Sequence, residues 1–135
     1  MRPGLILRVL TALPVSAIVA SACAAPTPLG AGCENSLWWR DAREHVGAWA
    51  TVRGMVVDSR FAVDGEGQPT FLDLGNAYPD PDRFTVRIWG RDRVNFAAPP
   101  EQTYRNRTIC VTGVIDTSVG SPGVDVTQPS SLLML

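Results

Sequence analysis

Thr70-Phe71-Leu72-Asp73-Leu74-Gly75 and, after one loop, Phe84-Thr85-Val86-Arg87-Ile88-Trp89-Gly90 set the fold of this chain. In the second run Phe84, Val86 and Ile88 fall on one side and Thr85, Arg87 and Trp89 on the other. A period of two is the signature of a strand with one buried face. Upstream, residues 49–61 keep the same period: Ala50, Val52, Gly54 and Val56 are expected to point inward, Thr51, Arg53 and Met55 outward. Gly54 in mid-strand predicts a bend or bulge there. The turn-forming run Val63-Asp64-Gly65-Glu66-Gly67-Gln68-Pro69 joins this strand to 70–74, and a second loop, residues 75–82, leads to 84–89. Downstream, residues 91–104 hold two prolines and no clean period, which predicts an irregular connector with room for one helical turn. Residues 108–117 form the next strand, with Ile109, Val111, Gly113 and Ile115 inward and Cys110 outward. Gly120-Ser121-Pro122-Gly123 turns into a last strand opened by Val124 and Val126 and ended by Pro129. Before all of these, Asn35-Ser36 can cap an α-helix over 37–46 whose apolar face is Trp39, Ala42 and Val46, with Gly47 as its stop.

Five strands with a connector between the third and fourth is the order of an oligonucleotide/oligosaccharide-binding (OB) barrel. The sequence therefore predicts an all-β, five-stranded OB barrel preceded by a short α-helix, occupying residues 35–135. The 135 residues suit one domain. A composition of 45% hydrophobic and 19% charged residues excludes a wholly disordered chain. A formal net charge of −1, with twelve basic residues that are all Arg, excludes a strongly basic nucleic-acid-binding domain.

Trp39-Arg40-Asp41-Ala42, His45-Val46-Gly47, Val52-Arg53-Gly54-Met55-Val56-Val57, Pro69 to Gly75, Phe84 to Gly90 and Ile109-Cys110-Val111-Thr112-Gly113-Val114-Ile115 together resemble a bacterial family of small OB-fold, nucleic-acid-binding-like domains. The resemblance spans residues 36–132. It implies a helix before the first strand, a Thr-Phe-Leu-Asp-Leu-Gly second strand and a Val-x-Ile-Trp-Gly third strand, in domains found beside nuclease and DNA-uptake modules. These motifs are specific for a fold, and a fold alone does not assign a ligand.

The N-terminus supplies an address. In residues 1–22 Arg2 and Arg8 are the only charges, and an uncharged run follows, as in a signal peptide. The apolar stretch is shorter than the roughly 20 residues of a spanning helix. It ends Val19-Ala20-Ser21-Ala22-Cys23, which resembles the lipobox of bacterial lipoproteins, with Ala20 where Leu is most usual. The expectation is lipidation of Cys23 and a membrane partner reached through that lipid. Cleavage near Ala22 or Ala25 without lipid is the alternative. Residues 23–34 read as a Pro/Gly-rich tether. The location expected is the cell envelope, facing outside the cytoplasm, where disulfides persist. Cys33 and Cys110 then remain as an even pair expected to bridge, two free buried thiols being the other option.

Candidate ligand residues are Arg53, Phe71, Arg87, Trp89, Arg91 and Arg93. Exposed aromatics on the outer face of such a sheet stack bases, and arginines pair with phosphates or stack themselves. The partner class this points to is single-stranded DNA or RNA. The competing arrangement packs Trp89 beneath the connector and pairs the arginines with Asp58, Asp73, Asp92 or Glu101. An envelope protein or glycan is then the partner, or the domain is a scaffold. Catalysis is not expected: there is no Gly-x-Ser-x-Gly elbow and no phosphate-cradling Gly loop. His45, the sole histidine, sits at the expected helix end. Asp64-Gly65-Glu66-Gly67 lacks the alternating ligand spacing of a calcium loop, and no Cys/His cluster suits zinc, so neither metal nor cofactor is expected. Arg87 and Asp73 alone do not make the acid and paired-arginine set of the staphylococcal-nuclease family, which shares the barrel.

Overall fold

The computed structural model describes residues 32–135 and the isolated positions 3, 4, 11, 12 and 14. The expected signal sequence, the lipidation site Cys23 and most of the tether lie outside the described residues.

The domain is all-β. Its strands are β1 (Leu37–Trp38), β2 (Trp49–Phe61), β3 (Thr70–Leu74), β4 (Phe84–Ile88), β5 (Thr108–Val114), β6 (Gly123–Asp125) and β7 (Leu132–Met134). They form one mixed sheet in the order β6-β4-β3-β2-β5-β7, with β1 pairing parallel to β2. β2 is the spine: its first half pairs with β5, its second half with β3. β6 lies parallel to β4, and its backbone pairing toward the β5 side is the isolated bridge Asp116↔Gly123. Seven strands in a sheet that ladder pairing does not close thus replace the expected five-stranded barrel. The two extra strands are short edges made by long-range pairing, which local periodicity does not reveal.

Alternation sets the core. Val52, Val56, Leu72, Leu74, Phe84, Val86, Ile88, Ile109 and Val111 are all fully buried between the two halves of the sheet. Burying each such side chain contributes about 1.5–3 kcal/mol of transfer free energy. The expected bulge is present but displaced: the register shifts between Val56 and Asp58, not at Gly54. Gly54 has a different reason. A Cβ there would stand 3.0 Å from Trp39 Cδ1 and 3.1 Å from Leu74 Cβ, so the glycine lets Trp39 pack against the strand.

The expected α-helix over 37–46 is also corrected. Asn35 has φ 58°, outside helical geometry, and Leu37 and Trp38 are taken by pairing with Val52 and Arg53. What remains is a 3-10 helix, Trp39–His45, without a side-chain cap. It buries Ala42, while Val46 is half exposed. Gly47, at φ 90°, ends it as expected. The connector holds a 3-10 turn, Gly90–Asn95, and α1 (Pro100–Thr103). Asn95 Nδ2 pins it by donating to the Thr127 carbonyl at 2.8 Å.

Cys33 and Cys110 form a disulfide with Cα atoms 5.7 Å apart. Cys110 does point away from the core, and it is buried because Cys33 covers it. Among the described residues no helix is long and apolar enough to cross a membrane.

Candidate ligand-binding face

Cross-strand register builds the site. Arg60 of β2 lies opposite Phe71 of β3, Phe71 opposite Arg87 of β4, and Arg87 opposite Asp125 of β6, giving one row across four strands. The neighbouring row is Asp58, Asp73, Thr85 and Gly123. Both rows face away from the core because Leu72, Leu74, Val86 and Ile88 occupy the inward positions.

At one end of the first row, the Arg60 guanidinium lies 4.7 Å from the Phe71 ring centroid and 4.0 Å from that of Tyr78. Such contacts hold a cation over an aromatic face. At the other end, Arg87 lies 4.5 Å from the Trp89 ring centroid and donates to both Asp125 oxygens, at 2.7 and 2.9 Å. The Trp89 indole Nε1 donates to the same carboxylate at 3.3 Å. Gly67 leaves room for that ring. A Cβ there would stand 2.7 Å from Trp89 Cζ3.

Beneath the row is a buried carboxylate. Asp73 is fully buried and accepts from Thr85 Oγ1 at 2.7 Å and from Arg83 Nε at 3.3 Å, both on Oδ1. Its Oδ2 has no hydrogen bond, and Arg60 Nη1 stands 3.6 Å from it. Burial raises the Asp73 pKa, the Thr85 hydrogen bond and the charges of Arg83 and Arg60 pull it down, and Asp58 adds to the rise; the net direction is upward.

The six residues singled out from sequence do not form one cluster. Phe71 and Arg87 share the outer face of β3 and β4, and Trp89, the residue after β4, stacks against Arg87. Arg93 belongs to the connector and turns back onto the end of β2: its guanidinium covers the Phe61 ring at 3.8 Å, pairs with Glu101 at 2.7 Å and donates to Thr70 Oγ1. Burial pushes the Glu101 pKa up, but the hydrogen bond and charge of Arg93 and a backbone hydrogen bond outweigh it, and the net direction is downward. Arg91 is largely exposed, 3.7 Å from Asp92. Arg53 belongs to the first half of β2, where it stacks on Trp38 at 5.5 Å and lies opposite Cys110. Arg60, Tyr78, Arg83 and Asp125 were not anticipated. The signal for Arg60 and Asp125 was strand alternation, obscured for Arg60 by the bulge that changes parity before it. Tyr78 and Arg83 come from the loop, where periodicity says nothing.

His45 ends the 3-10 helix, where its carbonyl accepts from the Ala48 amide at 3.0 Å. Asp64 and Glu66 lie exposed in the turn whose Gly65 amide donates to Ala62. Among the described residues no group of three His, Cys, Asp or Glu side chains is placed to hold a metal ion.

No protein-family model matches the chain. No curated protein matches it either. Two solved structures are similar over 82% of this chain at 13% identity. One is assigned as an aspartyl-tRNA synthetase from Leishmania major Friedlin (TM-score 0.44), the other is the aspartyl-tRNA synthetase from Entamoeba histolytica (TM-score 0.42). The chain covers 23% and 24% of those chains, about a quarter of their length. At these scores the likeness adds nothing to what the strand pairing already shows.

Proposed function

We propose that this chain is an exported, non-catalytic binding module of the partly open OB type, anchored by lipid on Cys23, that holds single-stranded nucleic acid on the outer face of β3 and β4. The observation that carries the reading is the row Arg60-Phe71-Arg87-Asp125, with Tyr78 and Trp89 stacked at its two ends. It supplies three aromatic rings and two stacked guanidinium planes on one surface, which suits bases sequence-independently. The disulfide supports an oxidising location.

The binding energy is expected to come from stacking more than from charge. Arg87 is committed to Asp125, and Arg60 and Arg83 share Asp73. From Cys23 onward the chain has 10 Arg against 13 Asp and Glu, a net of −3. Long-range attraction of phosphates is accordingly weak.

The test is a fluorescence titration of the protein with a short single-stranded oligonucleotide at low and moderate salt. Saturable quenching that weakens with salt is expected, with binding, followed by the anisotropy of a dye-labelled oligonucleotide, kept in Trp89→Phe and lost in Trp89→Ala. The neutralised arginines favour a second reading, an uncharged envelope ligand such as a glycan on the same rings. Quenching by a neutral oligosaccharide, with none by the oligonucleotide at either salt, would decide for it.

A further inference from the structure

Across the core from the ligand face, the outer surface of β1, β2, β5 and β7 has the opposite character. Trp38, Trp49, Met55, Val114 and Leu133 all point outward there and are 55, 63, 50, 51 and 38% exposed. Arg53 is the charged residue among them, and its guanidinium lies over the Trp38 ring. The polar pair Thr51 and Thr112 is satisfied internally by a hydroxyl–hydroxyl hydrogen bond of 2.8 Å. A hollow of about 430 Å³ beside Trp49 and Leu37 borders the patch, and Glu34, Asn35 and His45 give it a polar rim. An apolar patch of this kind marks an interaction surface.

The disulfide identifies the occupant. Trp38, Arg53, Cys110 and Leu133 are successive partners in one cross-strand row, and Cys33 is bonded to Cys110 in the middle of it. The described chain therefore joins the domain on this patch, at Cys33. Cys23 is ten residues before that point. Ten residues reach at most about 35 Å when fully extended. A lipid on Cys23 would keep the tether's point of entry, which lies on this surface, within that reach of the bilayer. The composition of the surface fits: tryptophans prefer the headgroup level, and a long arginine reaches outward from apolar surroundings to lipid phosphates.

We infer that the outer surface of β1, β2, β5 and β7 docks on the membrane interface through Trp38, Trp49 and Arg53, leaving the ligand face turned away from the bilayer. The inference rests on the proposed lipid anchor at Cys23. The experiment uses the full chain, extracted from membranes of an expressing bacterium. It is reconstituted in vesicles of phosphatidylethanolamine and phosphatidylglycerol carrying a nitroxide-labelled lipid. Flotation reports anchoring, and quenching of tryptophan emission reports docking. The wild type is expected to float and to be quenched, Trp89→Phe to keep that quenching, and the double variant Trp38→Phe/Trp49→Phe to lose it. Val114→Glu, a substitution at an exposed position, is expected to weaken quenching without loss of flotation. A chain that floats but is quenched equally in the double variant overturns the docking surface and leaves the anchor standing. Flotation without quenching, with the detergent-extracted chain running as a dimer, assigns the surface to a second copy and also overturns it. A chain that fails to float, with Cys23→Ser indistinguishable from wild type, removes the anchor and the inference together.

Discussion

Opening the Cys33–Cys110 bond is the perturbation whose size the structure fixes best. The cysteines are 77 residues apart in sequence. In the chain-entropy model a loop of that length costs the unfolded state about 4.5 kcal/mol of conformational freedom at 25 °C. That is a large share of the 5–15 kcal/mol typical of a small domain. The substitution to use is Cys33→Ser, because the partly exposed serine is readily solvated. Cys110→Ser would instead bury a hydroxyl in a fully covered position. A Cys23→Ser background leaves the pair as the only cysteines of the three. In urea, with a slope of roughly 1–3 kcal/mol per molar, the midpoint should fall by roughly 1.5–4.5 M. Reductant should bring the parent protein to the midpoint of the variant. β1 should loosen first, since its two residues pair only beside the bond. Coincident urea midpoints for the oxidised parent and Cys33→Ser would refute the reasoning.

Three further outcomes follow from the packing. Gly75→Ala should cost about 1–3 kcal/mol for its left-handed backbone alone, and more because a Cβ at that position, φ 80°, would lie 2.0 Å from the Trp39 ring; an unchanged melting temperature would contradict this. Gly67→Ala removes no polar group, yet its Cβ displaces the Trp89 ring, so oligonucleotide affinity should fall while the Arg93–Glu101 end of the domain stays folded; unchanged affinity would show that the ring position is immaterial. For Asp73, whose folded pKa is raised, the native state holds its proton more tightly than the unfolded chain. Its contribution to stability is therefore present below the ordinary carboxylate range and is lost as pH rises through the folded value. Stability of the wild type relative to Asp73→Asn should fall with rising pH across that range in urea titrations, and a flat or rising difference would refute the assignment.

Local pattern carried the strands and failed at long-range pairing. β2 and β3 have the bounds that alternation and the flanking turn residues gave. The cysteine pair was legible from compartment and count. The α-helix was not, because Leu37 and Trp38, the start of the expected helix, pair with β2 beside the disulfide-bonded strand. The bulge was placed at the glycine, since sequence cannot tell a bend from a close approach. Here Gly54 serves Trp39, and the register slips three residues later at Val57. The same slip decided the site. It turned Arg60 outward beside Phe71, and it left Arg53 on the surface that faces the other way, although both sit on one strand. The outward placement of Phe71 and Arg87 was legible because β3 and β4 are unbroken strands that pair in register.

The central claim, that the outer face of β3 and β4 binds a single strand, is tested most directly by backbone amide shifts of the isotope-labelled protein titrated with a short single-stranded oligonucleotide. Saturable shifts concentrated at Arg60, Phe71, Arg87 and Trp89, with Arg53 and Trp38 unmoved, are expected. Shifts absent everywhere at saturating oligonucleotide, or centred on the Trp38 and Trp49 surface, would contradict the claim.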